Sequence, residues 1–77
     1  MVLDLTQLKT GQRGTIIEIQ GGLGLTKRLE SMGIRAGKKI SKVGAQFWRG
    51  PQIVKVYNSQ VAIGFGMAKK ITVEVEE

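Results

Sequence analysis

Eleven glycines and a single proline break this 77-residue chain into apolar runs spaced about 8–12 residues apart. That punctuation suits short strands joined by tight turns and leaves little room for long helices. The glycines do not gather into a linker, and no repeat or low-complexity tract interrupts them, so residues 1–77 are expected to form one domain. A core of this size supplies only about 3–5 kcal/mol of net stability, and the chain has no cysteine to staple it. Lack of cysteine also removes thiolate zinc sites and thiol nucleophiles. Lack of histidine removes the commonest general base and metal ligand. Side-chain catalysis is therefore not expected. The opening Met1-Val2-Leu3-Asp4 reaches a charge at once, so no signal peptide is expected. The most apolar stretch, residues 61–68, is far shorter than the ~20 residues of a membrane helix. A soluble intracellular protein is expected.

After an opening turn over residues 5–10, residues 13–20 read as a strand. Thr15, Ile17 and Ile19 are expected on its core face, with Glu18 and Gln20 outside. Leu25, Leu29 and Met32 then fall at i, i+4 and i+7, one stripe of a short helix within 24–32. Gly33 fits the left-handed position beyond its end, and Ile34 is placed to pack back on Leu29. Two helical turns are unstable alone, so the stripe is expected to dock on a sheet. Residues 38–44 form a strand whose Ile40 and Val43 do not alternate, the mark of a bulge or an edge. Lys38, Lys39 and Lys42 suit an edge. Residues 52–57 and 60–65 are the clearest strands, expected to join as a hairpin through Asn58-Ser59. Residues 66–69 fit a 3₁₀-like turn, and residues 71–75 close the chain with Ile71, Val73 and Val75 inward. The sum is a mainly β fold, a small, partly open SH3-like barrel of about five strands with one short helix.

Twelve basic against six acidic side chains give a net charge of +6. Glu74, Glu76 and Glu77 supply half of the acids, so before Glu74 twelve bases face three acids, a charge of +9. Such a surface either serves solubility or invites nucleic acid, anionic lipid or an acidic partner. Gly37-Lys38 looks like the end of a phosphate-binding loop. That motif needs glycine where Met32 stands and Ser or Thr where Lys39 stands. Gly22-Leu23-Gly24 lacks the third glycine of a dinucleotide fingerprint. No nucleotide and no cofactor is expected. Glu74, Glu76 and Glu77 are the one local acidic cluster, and at a chain end they read as a solvated tail and not as a metal site. The unusual segment is Gln46 to Pro51, where the lone Trp48 stands between Phe47 and Arg49. Aromatics beside arginine dominate interface hot spots. Phe47, Trp48 and Arg49 are therefore candidate partner-binding residues, the alternative being a ring that folds under to cap the barrel. Lys27, Arg28 and Arg35, on and after the helix, are further candidates or else a solvated face.

Three stretches together resemble one family. Leu5-Thr6-Gln7-Leu8-Lys9-Thr10-Gly11 leading to Gly14-Thr15-Ile16-Ile17 is similar to the opening of FeoA-type ferrous iron transport proteins. The run from Leu29 to Gly37 resembles their central Leu-x-x-Met-Gly-Ile-x-x-Gly segment. Gly50-Pro51, Val61-Ala62-Ile63-Gly64 and Met67-Ala68 before Lys70-Ile71-Thr72-Val73 resemble the remainder. The resemblance implies a cytoplasmic SH3-like accessory, not an enzyme, that docks on a FeoB-type transporter with a cytosolic GTPase domain. It also implies kinship with domains that follow the helix-turn-helix of metal-responsive repressors, for which 77 residues leave no room. The family is associated with transition metals, but no His or Cys ligand set exists here, so direct iron binding is expected to be weak. The Phe47-Trp48 pair is more aromatic than the family pattern. A nucleic-acid-binding SH3-like domain, with Phe47, Trp48 and Tyr57 as stacking residues, is the alternative.

Overall fold

The computed structural model describes residues 1–45 and 48–76. Six strands, β1 (Val2–Asp4), β2 (Arg13–Ile19), β3 (Lys39–Ala45), β4 (Gln52–Val56), β5 (Ser59–Ile63) and β6 (Ile71–Val75), pair antiparallel in the order β1-β6-β2-β3-β4-β5. Between them lie a 3₁₀ turn (Leu5–Gln7), the helix α1 (Leu23–Ser31) and the single helical turn α2 (Phe65–Ala68). Strands β2 to β6 all contribute to one buried cluster: Ile16, Ile40, Val54, Val56, Ile63, Ile71, Val73 and Val75. A sheet that places five strands on one shared core must curl around it, while β1 and β5 remain its two edges. The mainly β, partly open barrel expected from the sequence is what forms, with six strands and a second helical turn.

Leu29 is fully buried on α1, with Leu25 and Met32 packed beside it. The helix stops as the sequence indicates. Gly33, at φ +85°, donates to the Glu30 carbonyl at 2.9 Å, and Ile34 donates to the Leu29 carbonyl at 2.9 Å. Those two bonds are the Schellman pair, and Ile34 is buried with Leu29. On β6, Ile71, Val73 and Val75 point inward as expected. Gly14 of β2 lies so close to β6 that a Cβ there would meet the Val73 side chain and the Glu74 carbonyl. The backbones can approach only because no side chain intervenes.

Four readings need correction. Ile17 is 47% exposed and Ile16 takes the core, because β2 bulges against β6 between Ile16 and Glu18 and so changes phase. Strand β3 does bulge, between Lys42 and Gly44, but it lies between β2 and β4 and is no edge. Lys42 points inward, on the same side as Ile40, and only Lys39 keeps to the outer face. The hairpin turns at Tyr57-Asn58, since Val56 pairs with Ser59. Tyr57 adopts φ +57° there, and its hydroxyl accepts a 2.6 Å hydrogen bond from Lys38 Nζ. Strand β1, three residues long, carries no alternation to read from sequence; it adds to β6 through Val2–Glu74, Leu3–Val73 and Asp4–Thr72.

Candidate functional site

A groove of about 610 Å³ is lined by residues from four parts of the chain, among them Leu8, Lys9, Lys42, Trp48, Arg49 and Phe65. Its first side is built by the 3₁₀ turn. Asp4 caps that turn, accepting from the Thr6 amide at 2.8 Å and from the Thr6 hydroxyl, while the Asp4 amide donates to Gln7 Oε1 at 3.1 Å. The chain then runs antiparallel to β3, joined by Gly11 N–H to Lys42 O (2.8 Å) and Lys42 N–H to Gln12 O (2.9 Å).

Lys42 ties this side to the barrel a second time. Its ammonium donates to the carbonyls of Leu8 at 2.9 Å and Leu5 at 3.3 Å. The Leu5 carbonyl also accepts from the Leu8 amide within the turn at 3.3 Å, so Lys42 is its second donor. Only 5% of Lys42 is exposed. Burial pulls its proton affinity below that of a free lysine, and the charge of Asp4 offsets part of that shift.

The other side is the turn at Trp48 and Arg49. Trp48 is 87% exposed, so it does not cap the barrel end. The Arg49 guanidinium lies 4.9 Å from the centroid of its ring, within cation–π range. Arg49 itself has φ +63°. Beneath the turn, buried Gln52 donates from Nε2 to the Gly50 carbonyl at 2.9 Å and fixes its base. Phe65, at the start of α2, borders the groove, with Lys69 Nζ 5.8 Å from its ring centroid. Among the described residues three cations line the groove and no carboxylate does.

The residues singled out by sequence divide. Trp48 and Arg49 come together at the groove; Phe47 lies outside the described residues. Lys27 and Arg28 are exposed on α1, and Arg35 is exposed just beyond it; none of the three lines the groove. Arg35 lies near Tyr57, whose phenol ionises more readily than usual because of the Lys38 hydrogen bond and charge. A second, smaller recess of about 240 Å³ gathers Arg13, Lys39, Lys55 and Tyr57 with Glu76. Sequence reasoning passed over Lys42, although strand period offered a signal: Ile40 inward places Lys42 inward too. Leu8 and Phe65 carried no comparable signal, since only the fold brings them to Trp48.

Among the described residues no three acidic side chains gather as metal ligands. The Glu74 carboxylate pairs with the Met1 amino group at 2.8 Å and Glu76 lies 3.8 Å from Lys39 Nζ, whereas Glu77 lies outside the described residues. No described helix is long and apolar enough to cross a membrane.

Known proteins resemble this chain along nearly all its length. Residues 3–75 match the family model of the FeoA domain. A Methanocaldococcus jannaschii relative named as Fe(2+) transport protein A is 41% identical over 69 residues, covering 90% of this chain and 82% of its own. The crystal structure of an iron uptake regulatory protein, FeoA, superposes with a TM-score of 0.89 at 32% identity and covers 99% of both chains. The zinc-complexed FeoA of Stenotrophomonas maltophilia, described as a prokaryotic SH3 domain protein, superposes at 0.79 with 20% identity, over 94% of this chain and 89% of that one. At that identity the likeness speaks to the fold, and the fold is SH3-like. By sequence and by architecture alike, the chain belongs to the FeoA family of ferrous iron transport proteins.

Proposed function

We propose that this chain is a non-enzymatic accessory of ferrous iron transport, a single domain acting in the cytoplasm. It docks through the Trp48–Arg49 turn onto the cytosolic, GTPase-bearing part of a FeoB-type transporter. Iron is the cargo of the partner and is not held here. The observation that carries the reading is Trp48. A large ring left 87% exposed in a chain with so small a core has no folding role and suits a hot spot. Membership in a transport family supplies the system, and the sequence, without His or Cys, supplies neither an imidazole base nor a thiol for catalysis.

Calorimetric titration of the full chain against the transporter's cytosolic domain tests the proposal. Saturable 1:1 binding that Trp48→Ala weakens is expected. Unaltered affinity in that variant, or no binding, contradicts it. The basic recess around Arg13, Lys39 and Lys55 favours a second reading, nucleic-acid binding. A salt series decides between them. A nucleic-acid contact gives a log–log slope of about −0.7 to −0.9 for each phosphate neutralised. Under the docking reading, RNA and DNA show no saturable binding at moderate salt.

A further inference from the structure

We propose that the groove between the 3₁₀ turn and the Trp48–Arg49 turn receives an acidic segment of a protein partner. One carboxylate seats against Lys42, and a neighbouring apolar side chain seats against Trp48 and Phe65. This rests on the docking reading above and names the chemistry that the docked segment carries.

Lys42 is the reason. It is nine-tenths buried, yet among the described residues no carboxylate stands within ion-pair distance of it. Its two hydrogen bonds go to neutral carbonyls, and an ammonium has three N–H groups to place. Tying a turn to a strand needs no charge. Gln52 does the same for Gly50 in this groove with a neutral amide. Asp4 offsets the Lys42 charge only in part, from beyond ion-pair distance. A buried cation so weakly opposed is costly, and the group that relieves it is an anion. Lys9 and Arg49 add positive charge around it, Arg49 being held beside the Trp48 ring, and among the described residues no acid lines the groove. An isolated free anion would leave Leu8, Trp48 and Phe65 unused. A nucleic-acid strand would need a row of cations along a track, whereas these three converge on one recess. About 610 Å³ accommodates more than one side chain, as a short peptide requires.

Two blocked hexapeptides, one of alternating Glu and Leu and one with Gln in place of each Glu, are titrated into the ¹⁵N-labelled full chain. The Glu peptide is expected to shift the amides of Leu8, Lys9, Lys42 and Trp48. The Gln peptide should bind about tenfold more weakly or worse, as should the Glu peptide to Lys42→Met. If Lys42→Met fails to fold, the surface pair Lys9→Gln with Arg49→Gln serves instead, with the same expected loss. Equal affinity for both peptides overturns the proposal, as does binding that shifts the Arg13–Lys55 recess in place of the groove. So does the absence of Glu-peptide binding at millimolar concentration. A ten-nucleotide single-stranded DNA that occupies the groove more tightly than the Glu peptide overturns it in favour of nucleic acid. Competition separates the two readings. If the transporter domain binds and saturating Glu peptide does not displace it, the acidic-segment assignment falls and docking stands. If the Glu peptide fills the groove and the transporter domain does not bind, only the docking reading falls.

Discussion

The end of α1 and the turn at Trp48–Arg49 each carry a residue with left-handed backbone, and they use it in opposite ways. At Gly33 the φ of +85° is free of steric cost, two backbone bonds close the helix, and Leu29 and Ile34 are buried. At Arg49 the φ of +63° falls on a residue with a Cβ, which costs about 1–3 kcal/mol, and the neighbouring tryptophan is left in solvent. One site puts its apolar surface into the fold. The other holds its largest ring outside and tolerates strain to do so. In this small barrel apolar burial and apolar exposure thus fall to different turns.

If that division is right, Leu29→Ala gives the largest loss. It removes a fully buried side chain where helix meets sheet and should cost about 2–5 kcal/mol, comparable to the whole stability of so small a domain. Thermal melting followed by circular dichroism reads it, and a melting point within a few degrees of wild type would show that α1 does not anchor the core. Gly14→Ala comes next, at about 1–3 kcal/mol in urea titration, because the added methyl must push β2 away from Val73 and Glu74.

A smaller effect concerns Lys42. Burial lowers its folded-state proton affinity, so between that lowered value and the value of a free lysine the unfolded chain binds more protons. Stability therefore rises with pH through that window. Tyr57, its ionisation eased by the Lys38 hydrogen bond, contributes with the same sign. The informative quantity is accordingly the difference in slope between wild type and Lys42→Met, and the variant should have the shallower rise. Identical slopes would mean that Lys42 is not buried as a cation.

Much of the stable half of the comparison is legible in the sequence. The i, i+4, i+7 stripe, Gly33 and Ile34 read as a helix with its stop because local spacing alone determines both. The alternation of Ile71, Val73 and Val75 survives for the same reason. Readings fail where a bulge alters the phase, as at Ile16-Ile17, and at β1, which exists only because β6 offers it a partner. The groove is legible in two members, Trp48 and Arg49. Trp48 stands out by being alone, but Leu8 and Phe65 reach it through the packing of α2 against the 3₁₀ turn, which no local pattern encodes. Lys42 was hidden by its charge, which argues for a surface position while strand period argues for the core.

The smallest expected change in stability carries the largest expected change in binding. Trp48 is the only tryptophan, so its emission reports on itself. In the free protein that emission should be red-shifted and open to acrylamide quenching, and adding the transporter's cytosolic domain should shift it to the blue and protect it. Trp48→Ala should melt within about 0.5 kcal/mol of wild type and lose at least ~2 kcal/mol of affinity, about thirtyfold. Blue, protected emission before any partner is added, together with a large loss of stability in the alanine variant, would contradict the account.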